Sequence, residues 1–397
     1  MPKRRYLSLL LAAGLLFLQT GCWSSKEIDD LIMYVGLALD EGKPTGVERE
    51  LERSGGSYFK RNLVTATIQI VPMNALSGVM QRSGVGKGAE FLNVSETGDS
   101  LNEIIRQYSL RRERTVIGQH LKVIVISTGL AGKQNLNKLM DFVLRDNDIR
   151  PSCIVLLSKG LARDTFASGQ DGMIPAFKLR DTLRGRQRTG KILKEVNLTK
   201  LVELMGTKQS FLLQEVAEAE GETEFSGAGI IKGETGKWVG SLDQTDVESI
   251  AWIKGDIEGG VIKSYDRQHE PISYEIEKVK SKVTPRIQDD RLSFHVQIES
   301  EGRLIENWNA EVDSSTTDYL DQAEGIFEER LNRMLEKVIH VMQSTYHVDV
   351  AGFGERLSIT HPKYWRKVRD QWDVVFSRTP VTLDVQFTIT DYGASQD

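Results

Sequence analysis

The sequence predicts an α+β protein of several domains, with mixed sheets and a long C-terminal amphipathic helix packed on a β-sheet. Three observations carry this. At 397 residues the chain exceeds one ordinary core, since domains run about 100–200 residues. Its first half alternates strand-like and helix-like periods in the βαβ order of a sheet with parallel pairs. Its second half is rich in alternating strands, interrupted by one apolar helical period over 318–346. The reading divides the chain into a leader over 1–21, an N-terminal α/β domain over 22–195, a linker over 196–221 and a C-terminal α+β domain over 222–393.

The composition is that of a folded protein, with 40% AVILMFWYC, 27% DEKR, 35 Gly and 9 Pro, which excludes a wholly disordered, collagen-like or polytopic membrane chain. A net charge of −5 argues against a nucleic-acid binder. The 2 cysteines, Cys22 and Cys153, exclude a disulfide scaffold and a four-cysteine zinc site.

The amino terminus reads as an export signal. Lys3, Arg4 and Arg5 form a positive region, and Tyr6 to Leu18 is apolar apart from Ser8. That run is short of the roughly 20 apolar residues a membrane-spanning helix needs. Leu18-Gln19-Thr20-Gly21-Cys22 then resembles a bacterial lipobox, in which the thiol takes diacylglycerol and the peptide is cut before the cysteine. Gln19 departs from the usual aliphatic residue at its position. An uncleaved signal anchor with an incidental Cys22 is the alternative. Two acyl chains anchor a protein stably where one does not. Losing Lys3, Arg4 and Arg5 with the leader leaves 48 Lys+Arg against 56 Asp+Glu, or −8, so lipid and not overall basicity would hold the body to an anionic bilayer.

Met33 to Asp40 is an apolar run expected as a buried strand, and Asn62 to Val71 a β-branched second strand. The Gly-, Pro- and charge-bearing stretch between them suits a hairpin-type loop. Residues 74–98, rich in Gly and Ser, are expected to be mobile. Ser100 caps a helix with Glu103 at the capping-box position. A strand (Leu121–Ile126), a helix (Leu136–Leu144) and a strand starting at Cys153 follow, with Cys153 a small core residue. The polar, basic stretch Leu179 to Lys191 reads as a domain boundary or exposed loop, or alternatively as a patch for phospholipid headgroups.

Leu198 to Met205 is helical, and strands are expected over 225–232, 238–239 and 259–263. Ile272 to Val283 and Leu292 to Ile298 alternate as a meander. The helix from Asp318 to Tyr346 spans about 43 Å at 1.5 Å per residue, enough to cross a domain on its sheet; a coiled coil with a partner is the alternative. Pro362 suits a first helical turn. Trp365, Val368 and Trp372 share a face expected to be core, and Val381 to Ile389 closes the chain as a strand.

The search for catalytic chemistry returns little. His120, His269, His295, His340, His347 and His361 are scattered, without a His-Glu-x-x-His or Cys-x-x-Cys pattern, and no Gly-x-Ser-x-Gly elbow occurs. Ser83 to Gly88 lacks the first Gly and the Ser/Thr of a phosphate loop. Gly352-Phe353-Gly354 reads as a tight turn, and Asp146-Asn147-Asp148 as a polar turn without the rest of a calcium loop. The reading is therefore no enzyme, no metal, no cofactor and no catalytic residue.

Taken in order, several segments resemble the Ger(x)C family of spore-germination lipoproteins. Gly21-Cys22-Trp23 resembles its mature start, although Ser24 stands where the family has an acid. Val35-Gly36-Leu37-Ala38-Leu39-Asp40 resembles its apolar strand ending in Asp. Gly118 to Ile126, Leu139 to Asp146 and Ile149-Arg150-Pro151 are similar to its central block. Asp349 to Glu355, with His361, Pro362, Trp365 and Trp372, resembles its C-terminal signature. The resemblance implies a mixed α+β fold and no enzymatic activity. It also implies a lipid-anchored C subunit of a nutrient germinant receptor, attached through diacylglycerol on Cys22 to the outer face of the cell membrane or spore inner membrane, beside integral-membrane A and B subunits. A lipid-anchored solute-binding protein that captures a small nutrient is the alternative, recognisable by a deep cleft of convergent polar groups; a lipoprotein hydrolase is a third reading.

Overall fold

The computed structural model describes residues 31–44, 49–50, 53–55, 61–71, 91–108, 115–167, 173–219, 221–313 and 316–391. The expected leader, Cys22, Ser83 to Gly88 and the expected mobility over 74–90 lie outside these residues.

The first sheet grows on both sides of β1 (Leu31–Glu41). β2 (Val64–Ile70) is antiparallel to β1, and β3 (Leu92–Gly98) is antiparallel to β2. Helix α1 (Leu101–Gln107) leads to β4 (Thr115–Ile117), which runs parallel to the first residues of β1. β5 (Val123–Ser127) then pairs parallel with β1. After α2 (Thr128–Lys133) and α3 (Leu136–Arg145), β6 (Ile154–Lys159) adds parallel to β5. Helices α4 (Pro175–Thr182) and α5 (Leu198–Thr207) precede β7 (Phe211–Ala219), the fourth parallel strand. β8 (Glu222–Lys232) and β9 (Lys237–Leu242) finish the sheet antiparallel. Its order is β3-β2-β1-β5-β6-β7-β8-β9, with β4 on β1.

Parallel strands covered on both faces read as continuous apolar runs, and every residue of β5 is buried. On one face Leu37, Ile124 and Leu157 pack with Ile104, Met140 and Leu201. On the other, Val35, Val125 and Leu156 pack with Phe166, Ala176 and Leu179. Gly36 permits that second layer, since a Cβ there would sit 2.7 Å from the Phe166 ring.

The second sheet is smaller. Helix α6 (Gln244–Lys254) leads to β10 (Gly260–Tyr265), β11 (Pro271–Gln288) and β12 (Arg291–Asn307), an antiparallel meander. Helix α7 (Thr317–His340) crosses beneath them and ends in a wider π turn over 341–346. After α8 (Phe353–Thr360), α9 (Pro362–Val368) and α10 (Trp372–Phe376), β13 (Val381–Asp391) pairs parallel with β12. Ala323, Phe327, Leu331, Leu335 and Val338 of α7 join Tyr274, Val296 and Phe387 in one core, the packing expected of a long helix on a sheet. Glu328 and Glu324 accept the β13 N–H groups of Phe387 and Ile389 at 3.1 and 2.7 Å, which covers a strand edge otherwise open to pairing.

Three expectations change. Residues 92–98, placed in a mobile segment, form β3: as an outer strand it tolerates Asn93, Ser95 and Glu96, which hide its period. Residues 196–221, read as a linker, carry α5 and β7, and the first sheet runs on through β9 past the expected boundary at 222. Residues 179–191 are not an exposed loop throughout, because Leu179 and Leu183 are buried and Arg186 reaches across to Glu258 at 2.6 Å. The two sheets also share a core: Ala228, Ile230 and Leu242 pack in the same cluster as Trp252, Ile272 and Tyr274, with α6 between them.

Candidate functional site

Cys22, the residue expected to carry lipid, lies nine positions before β1, outside the described residues. The other cysteine is buried at the start of β6. Burial pushes the Cys153 thiol well above its ordinary value, so it stays protonated as a small core residue.

Buried carboxylates occupy the places where the sequence shows isolated acids. Asp40 ends β1, and its two oxygens accept the N–H groups of Ala162 at 2.7 Å and Arg163 at 3.0 Å. They cap the short 3-10 helix over 162–166 that follows β6. Burial raises the Asp40 carboxyl, while those N–H donors and Ser127 oppose the rise. Asp349 does the same work for α8 with more donors. Its Oδ1 accepts from Ala351, Gly352 and Phe353 at 3.2, 2.9 and 3.2 Å. Its Oδ2 accepts from Gly354 at 2.6 Å and from the Trp372 indole at 2.9 Å. Gly352 takes a φ of 86° at the N-cap, and a Cβ on Gly354 would lie 2.6 Å from Trp372 Nε1. The Gly352-Phe353-Gly354 turn is thus the start of a helix wrapped around one carboxylate. Trp365 and Trp372 meet edge to face at 5.2 Å across a 3-10 turn over 369–371 that ends the expected single helix, with Trp372 buried and Trp365 and Val368 half-buried.

A third acid, Glu215, sits within the first sheet. Ser241 donates to its Oε1 at 2.8 Å, and Lys159 approaches its Oε2 at 3.4 Å. Oε2 has no well-formed hydrogen bond, so the Lys159 contact is Coulombic. Burial outweighs both partners and raises the Glu215 carboxyl.

None of these acids has a histidine or cysteine among its hydrogen-bond partners. Among the described residues no group of His, Cys, Asp and Glu could hold a metal ion. The histidines stay apart: His269 and His347 occupy turns with positive φ, His295 contacts Thr382 and His361 precedes α9. Asp146 closes the turn expected of it, accepting the Asp148 N–H at 2.9 Å.

The solute-binding reading requires a cleft with convergent polar groups. A cleft of about 550 Å³ does lie beside α5, α6 and the start of α8. Among the described residues most of its charges, though not Lys254 or Glu355, are engaged with other groups. Lys194 pairs with Asp256, Arg186 with Glu258 at 2.6 Å, Lys200 with Glu203 at 2.7 Å, and both Asp349 oxygens serve its own backbone and Trp372.

Comparison with known proteins matches this architecture over nearly the whole chain. The family described as "Spore germination protein N-terminal domain" matches residues 24–218, and that described as "Spore germination B3/ GerAC like, C-terminal" matches residues 226–393. The chain is 40% identical over 395 residues to spore germination protein YndF of Bacillus subtilis (strain 168), covering 98% of each. It is 31% identical over 376 residues to spore germination protein B3 of the same organism, covering 94% of each. The crystal structure of the GerBC protein superposes with a TM-score of 0.61 at 27% identity, covering 89% of this chain and 97% of that one.

Proposed function

The chain belongs to the Ger(x)C family of spore-germination proteins, and on that premise we propose that it is the lipid-anchored C subunit of a nutrient germinant receptor, assembling with integral-membrane A and B subunits. The observation that carries this reading is the ordered match of both germination domains, over 24–218 and 226–393, on a body whose signature residues build structure. Asp40 and Asp349 are spent on helix starts. The engagement of most charges in the cleft beside α5 and α6 favours an assembly component over a nutrient-capturing one.

Among the described residues no helix is long and apolar enough to cross a membrane. The reading assigns membrane attachment to diacylglycerol on Cys22, at the outer face of the cell membrane and the spore inner membrane. Mass spectrometry of the chain purified from membranes tests it: the first peptide should begin at Cys22 and carry the mass of diacylglycerol. Cys22→Ala should then release a folded protein from the membrane fraction. An unmodified Cys22 on a membrane-retained chain contradicts the anchor.

A further inference from the structure

We propose that the end of the larger sheet from which β1 emerges docks on an anionic phospholipid surface through a cluster centred on Lys122 and Arg150. The inference rests on the reading that Cys22 is the lipid anchor and adds how the body sits above the bilayer.

β1 pairs Gly36 with Val123, so residues 31–35 reach past the start of β5. At about 3.3 Å per residue that overhang is roughly 15 Å. The nine residues from Cys22 to Leu31 reach at most about 30 Å. A tether of that length allows the strand ends to meet the surface that holds the lipid.

The groups at those strand ends are cations. Lys122 is fixed across the first row of the parallel strands: its N–H donates to Val35 at 2.8 Å, and its carbonyl accepts from Ile154 at 2.9 Å. Arg150 stands in the turn entering β6, where its carbonyl accepts the Cys153 N–H at 3.0 Å. His120 lies in the turn that the Leu121 N–H closes onto Gly118 at 3.0 Å. Arg180 extends from α4, whose Ala176 lies over Gly36. Arg180 shares Asp181 with Arg184, at 2.8 and 3.7 Å, so those three residues keep one positive charge.

Among the described residues, neither Lys122 nor Arg150 has a carboxylate at ion-pair distance. Asp146 and Asp148 precede Arg150 in its turn and bring two carboxylates to this end, the Asp148 N–H bond to Asp146 leaving their charge in place. Against Lys122, Arg150 and the one positive charge kept by Arg180, Arg184 and Asp181, the end retains a net positive charge. Lys122 and His120 are each held below their ordinary values by burial and by cations around them, Arg150 acting on both. Like charges gathered in partly desolvated positions gain most from an external anion. Without the leader the chain as a whole is negative, 48 Lys+Arg against 56 Asp+Glu or −8, so this end is attracted to anionic lipid while the remainder is repelled. That asymmetry orients the body.

The test uses the full lipidated chain in phosphatidylcholine vesicles and in vesicles containing one-third phosphatidylglycerol, with amide hydrogen exchange read over 118–122 and 149–153. Exchange there should slow only with phosphatidylglycerol. Lys122→Ala and Arg150→Ala should each lower the docked-to-undocked ratio about fivefold, and added salt should do the same. Unchanged exchange in β5, buried in either state, certifies that the variants are folded. Equal exchange on the two vesicle types overturns the proposal, as does protection that survives the double variant. Flotation with neutral vesicles scores the Cys22 anchor separately, so failure of the anchor and failure of the docking surface are distinct results.

Discussion

Asp349→Asn isolates the part of the C-terminal signature that holds the fold. The carboxylate accepts five N–H groups, three on Oδ1 and two on Oδ2. An asparagine amide turned either way points its own NH2 at two or more of those donors. Each buried donor left without an acceptor costs about 1–3 kcal/mol, so losing two of them should destabilise the chain by about 2–6 kcal/mol. Asp349→Ala removes every acceptor at once, the cap of α8 included, and should cost at least as much. The assay is urea unfolding followed by tryptophan fluorescence, because Trp365 and Trp372 report the site directly. Ile359→Ala, at a position 64% exposed on the same helix, is the control and should stay within about 0.5 kcal/mol of the parent. An Asp349→Asn variant as stable as that control would refute the assignment of this carboxylate as the organiser of the helix start.

Two further outcomes follow from the larger sheet. Gly227 has a φ of 132°, and a Cβ there would lie 2.0 Å from the Leu242 carbonyl oxygen; Gly227→Ala should therefore cost about 3 kcal/mol or more or prevent folding, read as loss of the cooperative urea transition. Glu215 binds its proton more tightly folded than unfolded, because burial raises its carboxyl. Its contribution to stability is then present at low pH and lost as pH rises from the ordinary carboxylate range through the raised folded value. Glu215→Gln should abolish that loss, so the difference in unfolding free energy between pH 4 and pH 8 should shift in favour of the variant at pH 8; an unchanged difference contradicts the raised carboxyl.

What the sequence discloses follows burial pattern. The buried parallel strands at 33–40, 121–126 and 153–157 are plain because both faces are covered and, apart from Asp40 and Lys122 at strand ends, their residues are apolar or Gly. α7 is plain because it has one wet face. α6 is hidden for the opposite reason: nearly all of Asp246 to Ile253 is buried between the sheets, so Asp246, Glu248 and Ser249 interrupt the apolar pattern without marking an outer face. β3 is hidden by its polar outer residues; within the expected linker the helix over 198–205 is legible, but β7 is hidden because the buried Gln214 and Glu215 interrupt its apolar run. Asp40 and Asp349 are visible as acids beside apolar runs or Gly-rich turns; Asp349 serves mainly the next five residues and the distant Trp372 indole, whereas Asp40 reaches residues more than a hundred positions away. The cation cluster is legible only once β1, β5 and β6 are laid side by side, since Lys122, Arg150 and Arg180 come from three separate segments.

The central claim is assembly with A and B subunits. Affinity purification of the full chain from detergent-solubilised spore inner membranes, followed by quantitative mass spectrometry, tests it most directly. The account predicts both integral-membrane subunits in stoichiometric amounts with the chain. Recovery of the chain alone, under conditions where A and B are themselves intact and soluble, would contradict it.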